Sequence, residues 1–159
     1  MKKIWLITLL CFLIAILTGT STKAQTSPGT VPALGISDPW TDSQLLEPSV
    51  LVGELKDAGA NSLVIFNIGA VEDIKGAKHI GAASNPANLE KLKNAVGALA
   101  KNTAMVIYCG CCPFSKCPNI RPAFLELKKL GFANVKVLNL PTNLKTNWIA
   151  KGYPLAGGE

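Results

Sequence analysis

Three features of the sequence predict an α/β fold built on a doubly wound, mainly parallel sheet. Short runs rich in β-formers, at Ser62–Ile68, Ala104–Tyr108 and Val135–Leu140, alternate with segments whose apolar residues recur every three or four positions. The runs are nearly continuous in apolar character, the pattern of strands covered on both faces. Strand, helix, strand order implies parallel pairing through right-handed crossovers.

The elements follow in order from the amino terminus. Met1-Lys2-Lys3 is a cationic start, Ile4 to Leu17 is apolar except for Thr8, and Thr18 to Ala24 is small and polar. This is the grammar of a cleaved signal peptide over 1–24, so the chain is expected to be exported, periplasmic or secreted, with cleavage near Ala24. The apolar run falls short of the ~20 residues a spanning helix needs, so no membrane span is expected after cleavage. Residues 25–39 carry Ser27, Pro28, Gly29, Pro32, Gly35 and Pro39 and read as a linker, leaving 40–159 as one domain. Within it, Pro48 opens a short helix through Leu51 and Leu55 that stops at Gly59. Asn88 is expected to cap a helix of Leu89, Leu92, Val96 and Leu99 that ends near Lys101-Asn102. Ile120, Ala123, Phe124, Leu127 and Leu130 mark the helix after the second strand, closed by Gly131. Leu144 to Lys151 forms a last short helix before Gly152.

Composition narrows the function. At 48% hydrophobic and 16% charged, the 159-residue chain belongs with ordered globular proteins. Its net charge of +6 loses Lys2, Lys3 and Lys23 with the leader, leaving 13 basic residues against ten acids, or +3. The remaining cations are scattered, so no phosphate-binding stripe forms and no nucleic-acid partner is expected. Of five cysteines, Cys11 lies in the leader and the other four, Cys109, Cys111, Cys112 and Cys117, crowd one loop. Disulfides that brace a fold are spread along the chain; a cluster is a site.

Cys109 ends the strand Met105-Val106-Ile107-Tyr108, where open parallel sheets place their chemistry. The loop Gly110 to Asn119 leads into a helix beginning near Arg121, whose amides and dipole would favour a thiolate, with Lys116 and Arg121 adding charge. Cys109 is therefore the expected nucleophile. Gly110, Cys111, Cys112, Ser115, Lys116 and Arg121 are the expected substrate-binding residues, and Cys111, Cys112 and Cys117 are candidate resolving or disulfide partners. Zinc usually takes ligands from separated pairs or adds histidine, and His79 is the chain's single histidine, so no metal ligand and no cofactor is assigned. Cu(I) tolerates closely spaced thiolates better. His79, Trp40 and Trp148 read as scaffold residues.

Four segments resemble the single-domain rhodaneses, or sulfurtransferase domains, over about Trp40 to Gly157. Leu63 to Gly69 stands where that family has an apolar strand ending in Asp-x-Arg. Lys78-His79-Ile80-Gly81-Ala82-Ala83 resembles its Gly-His-Ile-Pro-Gly-Ala segment, and Met105 to Cys109 its cysteine-bearing strand. Leu130 to Val135, with Trp148 and Gly152-Tyr153-Pro154, resembles its closing third. The departures are Asn67 and Gly69 for the acid and the arginine, Lys78 for a glycine, no proline after Ile80, and a longer loop whose arginine comes late. The resemblance implies a five-stranded sheet flanked by helices and a Cys109 persulfide passed from a donor such as thiosulfate to a thiol or cyanide. It implies small-molecule donor and acceptor partners, with a redox partner protein if the extra cysteines exchange disulfides, and a monomer. Two other functions share the same residues: thiol-disulfide exchange on this fold, and a non-catalytic module whose thiolates hold a metal or a partner.

Overall fold

The computed structural model describes residues 37–57 and 63–157. The expected signal peptide and most of the expected linker lie outside the described residues, as does the expected helix stop at Gly59. Five strands form one parallel sheet: β1 (Leu45–Leu46), β2 (Leu63–Asn67), β3 (Ala77–His79), β4 (Ala104–Tyr108) and β5 (Val135–Leu138). Their order is β1-β5-β4-β2-β3, so β4 is central. Four helices complete the fold: α1 (Pro48–Asp57), α2 (Pro86–Val96), α3 (Ile120–Lys129) and α4 (Leu144–Asn147).

The two sheet faces carry separate cores. Leu92 and Val96 of α2 and Ile120, Ala123, Phe124 and Leu127 of α3 pack with Phe66, Met105 and Ile107 on one face. Leu51 and Val52 of α1 and Leu144 beside Trp148 pack with Ile65, Val106 and Tyr108 on the other. Helices on both faces make the sheet doubly wound, as the alternating pattern implies. Trp148 is fully buried, its indole N–H donating to the Pro154 carbonyl at 3.1 Å.

Element boundaries differ from expectation in two places. Asn85, not Asn88, caps α2: its side chain accepts from the Ala87 N–H at 2.9 Å, and Pro86 supplies the preset φ of a first helical residue. Asn88 sits inside the first turn and donates to the Ala82 carbonyl at 3.0 Å. The helix ends at Val96, where Gly97 lowers helix propensity and the chain tightens into turns, the Gly97 N–H bonding the Asn94 carbonyl and the Leu99 N–H the Val96 carbonyl. The short β1 and β3, too brief to show periodicity, are the strands that individual residues do not announce.

Candidate active site

Alternation along β4 decides which way its last residues face. Met105 and Ile107 enter the α2/α3 core while Val106 and Tyr108 enter the other, so Cys109 turns toward α2 and α3. Tyr108 is tied from behind: its hydroxyl accepts from the Ile74 N–H at 2.8 Å and donates to the Glu72 carbonyl at 3.2 Å. The carboxyl end of the central strand thus meets the amino ends of α2 and α3.

Room for the sulfur comes from an absent side chain. A Cβ on Gly69 would lie 2.8 Å from Cys109 Sγ and nearer still to the Cys109 carbonyl oxygen. Gly69 is itself positioned by fully buried Asn67, whose Oδ1 accepts the Gly69 N–H at 3.0 Å. Asn67 Nδ2 donates to the Val71 carbonyl and to Asp73 Oδ1, each at 2.8 Å. His79 Nδ1 lies 2.9 Å from the same carboxylate oxygen. Burial opposes ionisation of Asp73, but the bonds from Asn67 and His79 prevail and hold its carboxyl below the ordinary value. His79 therefore braces the turn after β2, in keeping with a scaffold role.

The sulfurs form a tight group. Cys109 Sγ is 3.2 Å from Cys111 Sγ, which is 3.4 Å from Cys112 Sγ. The Sγ atoms of Cys109, Cys111 and Cys117 all lie within 4.8 Å of one another, and all four loop cysteines are free. Asn119 Nδ2 donates to Cys109 Sγ at 3.1 Å while its Oδ1 accepts the Ser84 N–H at 2.9 Å, joining the start of α2 to the sulfur. Asn119 occupies the cap position of α3 without capping it, because its side chain is used on these two partners.

These donors set the charge. The Cys117 thiol has the largest influence on Cys109; with Asn119 Nδ2 and the N–H and thiol of Cys111 it outweighs burial and brings Cys109 down to about 5. Burial and donation to Cys109 push Cys111 up to about 12, and donation to Cys109 together with burial raises Cys117. At neutral pH the group is one thiolate served by two thiols. One expectation changes here: the backbone N–H groups at the start of α3 favour ionisation of Cys117, and the helix start acts on Cys109 through the Asn119 side chain. Cys117 lies two residues before the α3 cap, so the helix end reaches it first, and Cys109 is served by the Asn119 side chain instead.

Other loop residues named from the sequence are spread around this group. Gly110 has φ +73, its carbonyl accepts the Leu144 N–H at 2.8 Å, and a Cβ there would lie 2.7 Å from Leu144 Cβ. Cys111 is exposed and covers Cys109, which has no exposed surface of its own. Cys112 is half-buried; Ser115 and Lys116 are exposed on a 3-10 turn spanning Phe114–Lys116. The Arg121 guanidinium pairs with Asp38, donates to the Ser37 carbonyl at 3.2 Å and lies 5.4 Å over the Trp40 ring. A cleft of about 280 Å³ opens at the opposite, amino-terminal end of the strands, between Leu63, Ala104 and Asn134, away from the cysteines. Asn119, Gly69, Asn67 and Ser84 join the site through contacts that the sequence pattern does not announce. Asn119 between Pro118 and a helix is a cap signal, and nothing in its sequence context says that the side chain turns to a thiol.

Structural comparison places this architecture among known folds. The solution structure of the rhodanese-like domain of the Alr3790 protein from Anabaena sp. superposes with a TM-score of 0.51 at 20% identity, covering 72% of this chain and 80% of that one. The fold is rhodanese-like. A crystal structure of the Alr3790 protein gives 0.50 at 22% identity, covering 70% of this chain and 91% of the other. No protein-family model matches the rhodanese-like chain, and no curated protein matches it.

Proposed function

We propose that the chain is a rhodanese-type sulfurtransferase that carries sulfane sulfur as a persulfide on Cys109. The observation that carries this reading is the single thiolate at the end of the central strand, held by Asn119, Cys111 and Cys117. A low-pKa thiolate is the form that attacks sulfur. It attacks the outer sulfur of a donor such as thiosulfate; the new S–S bond forms as the old one breaks, and sulfite leaves with its electron pair. Asn119 Nδ2 and the Cys111 N–H then face the terminal persulfide anion, in the way preorganised donors stabilise developing charge elsewhere. An external thiolate or cyanide removes that sulfur and returns Cys109 to the thiolate.

Cys111 covers the nucleophile, so a donor reaches it when the Cys111 side chain swings toward solvent. Gly110, Cys112, Ser115 and Lys116 then border the entering anion, and Arg121 joins them on releasing Asp38. The 3.2 Å approach of Cys111 to Cys109 favours a second ending. The Cys111 thiol attacks the inner sulfur of the persulfide, a Cys109–Cys111 disulfide forms, and hydrosulfide leaves carrying the Cys111 proton. A dithiol partner protein then reduces the disulfide. The reading includes export, on the leader's sequence; among the described residues no helix is long and apolar enough to cross a membrane. It also takes the protein as a monomer acting on small sulfur donors and not on nucleic acid.

The test is intact-mass spectrometry after thiosulfate treatment of the reduced protein. One sulfur atom is gained on Cys109 with release of sulfite, and the gain is absent from Cys109→Ser. Wild-type protein that gains no mass and releases no sulfite would overturn the reading.

A further inference from the structure

We infer that Cys109, Cys111 and Cys117 form a trigonal thiolate site for one soft monovalent cation, Cu(I). The inference stands on the sulfur geometry and on the absence, among the described residues, of a fourth donor, and it does not rest on the sulfur-transfer reading. A three-coordinate ion with metal–sulfur bonds of about 2.3 Å holds its sulfurs about 4 Å apart. That separation falls between the 3.2 Å of the Cys109–Cys111 pair and the 4.8 Å that bounds the trio. The loop therefore already gathers the ligands at nearly the required spacing.

The choice of metal follows from what is missing around the trio. A structural zinc site takes four protein ligands. Cys112 bonds only the outer side of Cys111 and stands outside the trio. Asn119 Nδ2 has no lone pair to give, and its Oδ1 is used on the Ser84 N–H. The other side of Cys109 is closed by Gly69, which has no side chain. Three sulfurs without oxygen or imidazole are the donor set that selects soft Cu(I) over harder divalent ions.

Surroundings complete the site. The Asn119 amide and the backbone N–H groups of Cys111, Asn119 and Ile120 face the sulfurs and offset the negative charge of three thiolates around one cation. Cys109 and Cys117 are buried, which keeps water from the ion, and exposed Cys111 gives it an entrance. As the metal–sulfur bonds form, Cys111 and Cys117 release their protons to solvent; copper stays monovalent and no electron moves. A loaded site has no free Cys109, so metal binding and nucleophilic attack exclude one another.

The experiment is an anaerobic titration of the reduced full-length protein with Cu(I) buffered by bicinchoninate, followed by X-ray absorption spectroscopy of the complex. One equivalent moves from the chelator to the protein, and the copper shell contains three sulfurs. Cys111→Ser, an exposed change that leaves the core intact, lowers the affinity by more than about 100-fold, since even outer-shell partners of a metal cost up to that much. Cys117→Ser does the same with its fold checked by circular dichroism, whereas Cys112→Ser binds as the wild type does. Copper that stays on the chelator, a shell of two or four sulfurs, wild-type affinity in Cys111→Ser, or tighter retention of Zn(II) than of Cu(I) would each overturn the inference. The readout is metal occupancy, so a protein that binds copper and forms no persulfide separates the two proposals.

Discussion

Replacing Asn119 by Ala tests the origin of the Cys109 thiolate directly. The change deletes the 3.1 Å bond from Nδ2 to Cys109 Sγ and leaves the Cys111 and Cys117 donors in place. A hydrogen bond to a charged group contributes about 1.5–3 kcal/mol. At about 1.4 kcal/mol per pKa unit, its loss raises the Cys109 midpoint from about 5 by roughly one to two units. At pH 6 the ionised fraction should fall from about nine-tenths to between roughly one-half and one-tenth. The assay is the ultraviolet absorbance of the thiolate against pH, taken as the difference from Cys109→Ser, with the alkylation rate of Cys109 as a second measure. Asn119→Ala also removes the bond to the part-buried N–H of exposed Ser84, at a cost of about 0.5–1.5 kcal/mol in stability, which urea denaturation reports separately. Asn119→Asp keeps an acceptor for Ser84 but sets a carboxylate against the sulfur, so its midpoint should rise at least as far. A folded Asn119→Ala protein with an unmoved midpoint would refute the reasoning and assign the thiolate to Cys117 and Cys111 alone.

Three further outcomes follow from the same geometry. Gly69→Ala forces a methyl group into Cys109 and its carbonyl; overpacking of this kind costs about 1–3 kcal/mol, seen in urea denaturation, with slowed Cys109 alkylation as the sulfur is displaced. Cys111→Ala uncovers Cys109, so at pH 8, where the thiolate is fully formed, alkylation of Cys109 should accelerate several-fold; an unchanged rate would mean that access runs elsewhere. The pH dependence of stability has a fixed sign: a thiol lowered from 9.0 to about 5 gives stability that is complete above pH 9 and lost as pH falls through 5. Cys111 and Cys117, both raised, give stability that is present below pH 9 and lost above it. Reduced protein should therefore gain stability from pH 5 toward 9, by at most about 1.4 kcal/mol per unit, and lose it beyond, with the rising limb absent from Cys109→Ser.

Much of the fold could be read from residue pattern, because the three longest strands and three of the helices carry enough apolar repeats to declare their period. β1 has two residues and β3 three, and strands that short exist only through their neighbours. The cap of α2 was misplaced by one turn because Asn85 and Asn88 are both competent caps, and Pro86 decides between them. Cys109 was legible from its place after an apolar strand. The support around it was not: Gly69 and Asn119 act on the sulfur from 40 and ten positions away, through contacts that only the packed sheet creates. Arg121 shows the converse, since its distance from Cys109 in sequence says nothing of the carboxylate of Asp38 that holds it.

β4 has a partner on each side, its final residue Tyr108 is tied to Ile74, and Gly69 lies against Cys109, which follows it. Cys109 is thus fixed to the most interior part of the molecule, while Cys111 and Cys112 ride on the segment that follows. Changes of state in the outer sulfurs, whether oxidation, alkylation or ligation, can rearrange that segment without dislodging the inner one. The innermost sulfur belongs to the sheet and its neighbours to the surface loop, so the two ends of the cluster answer to different parts of the fold.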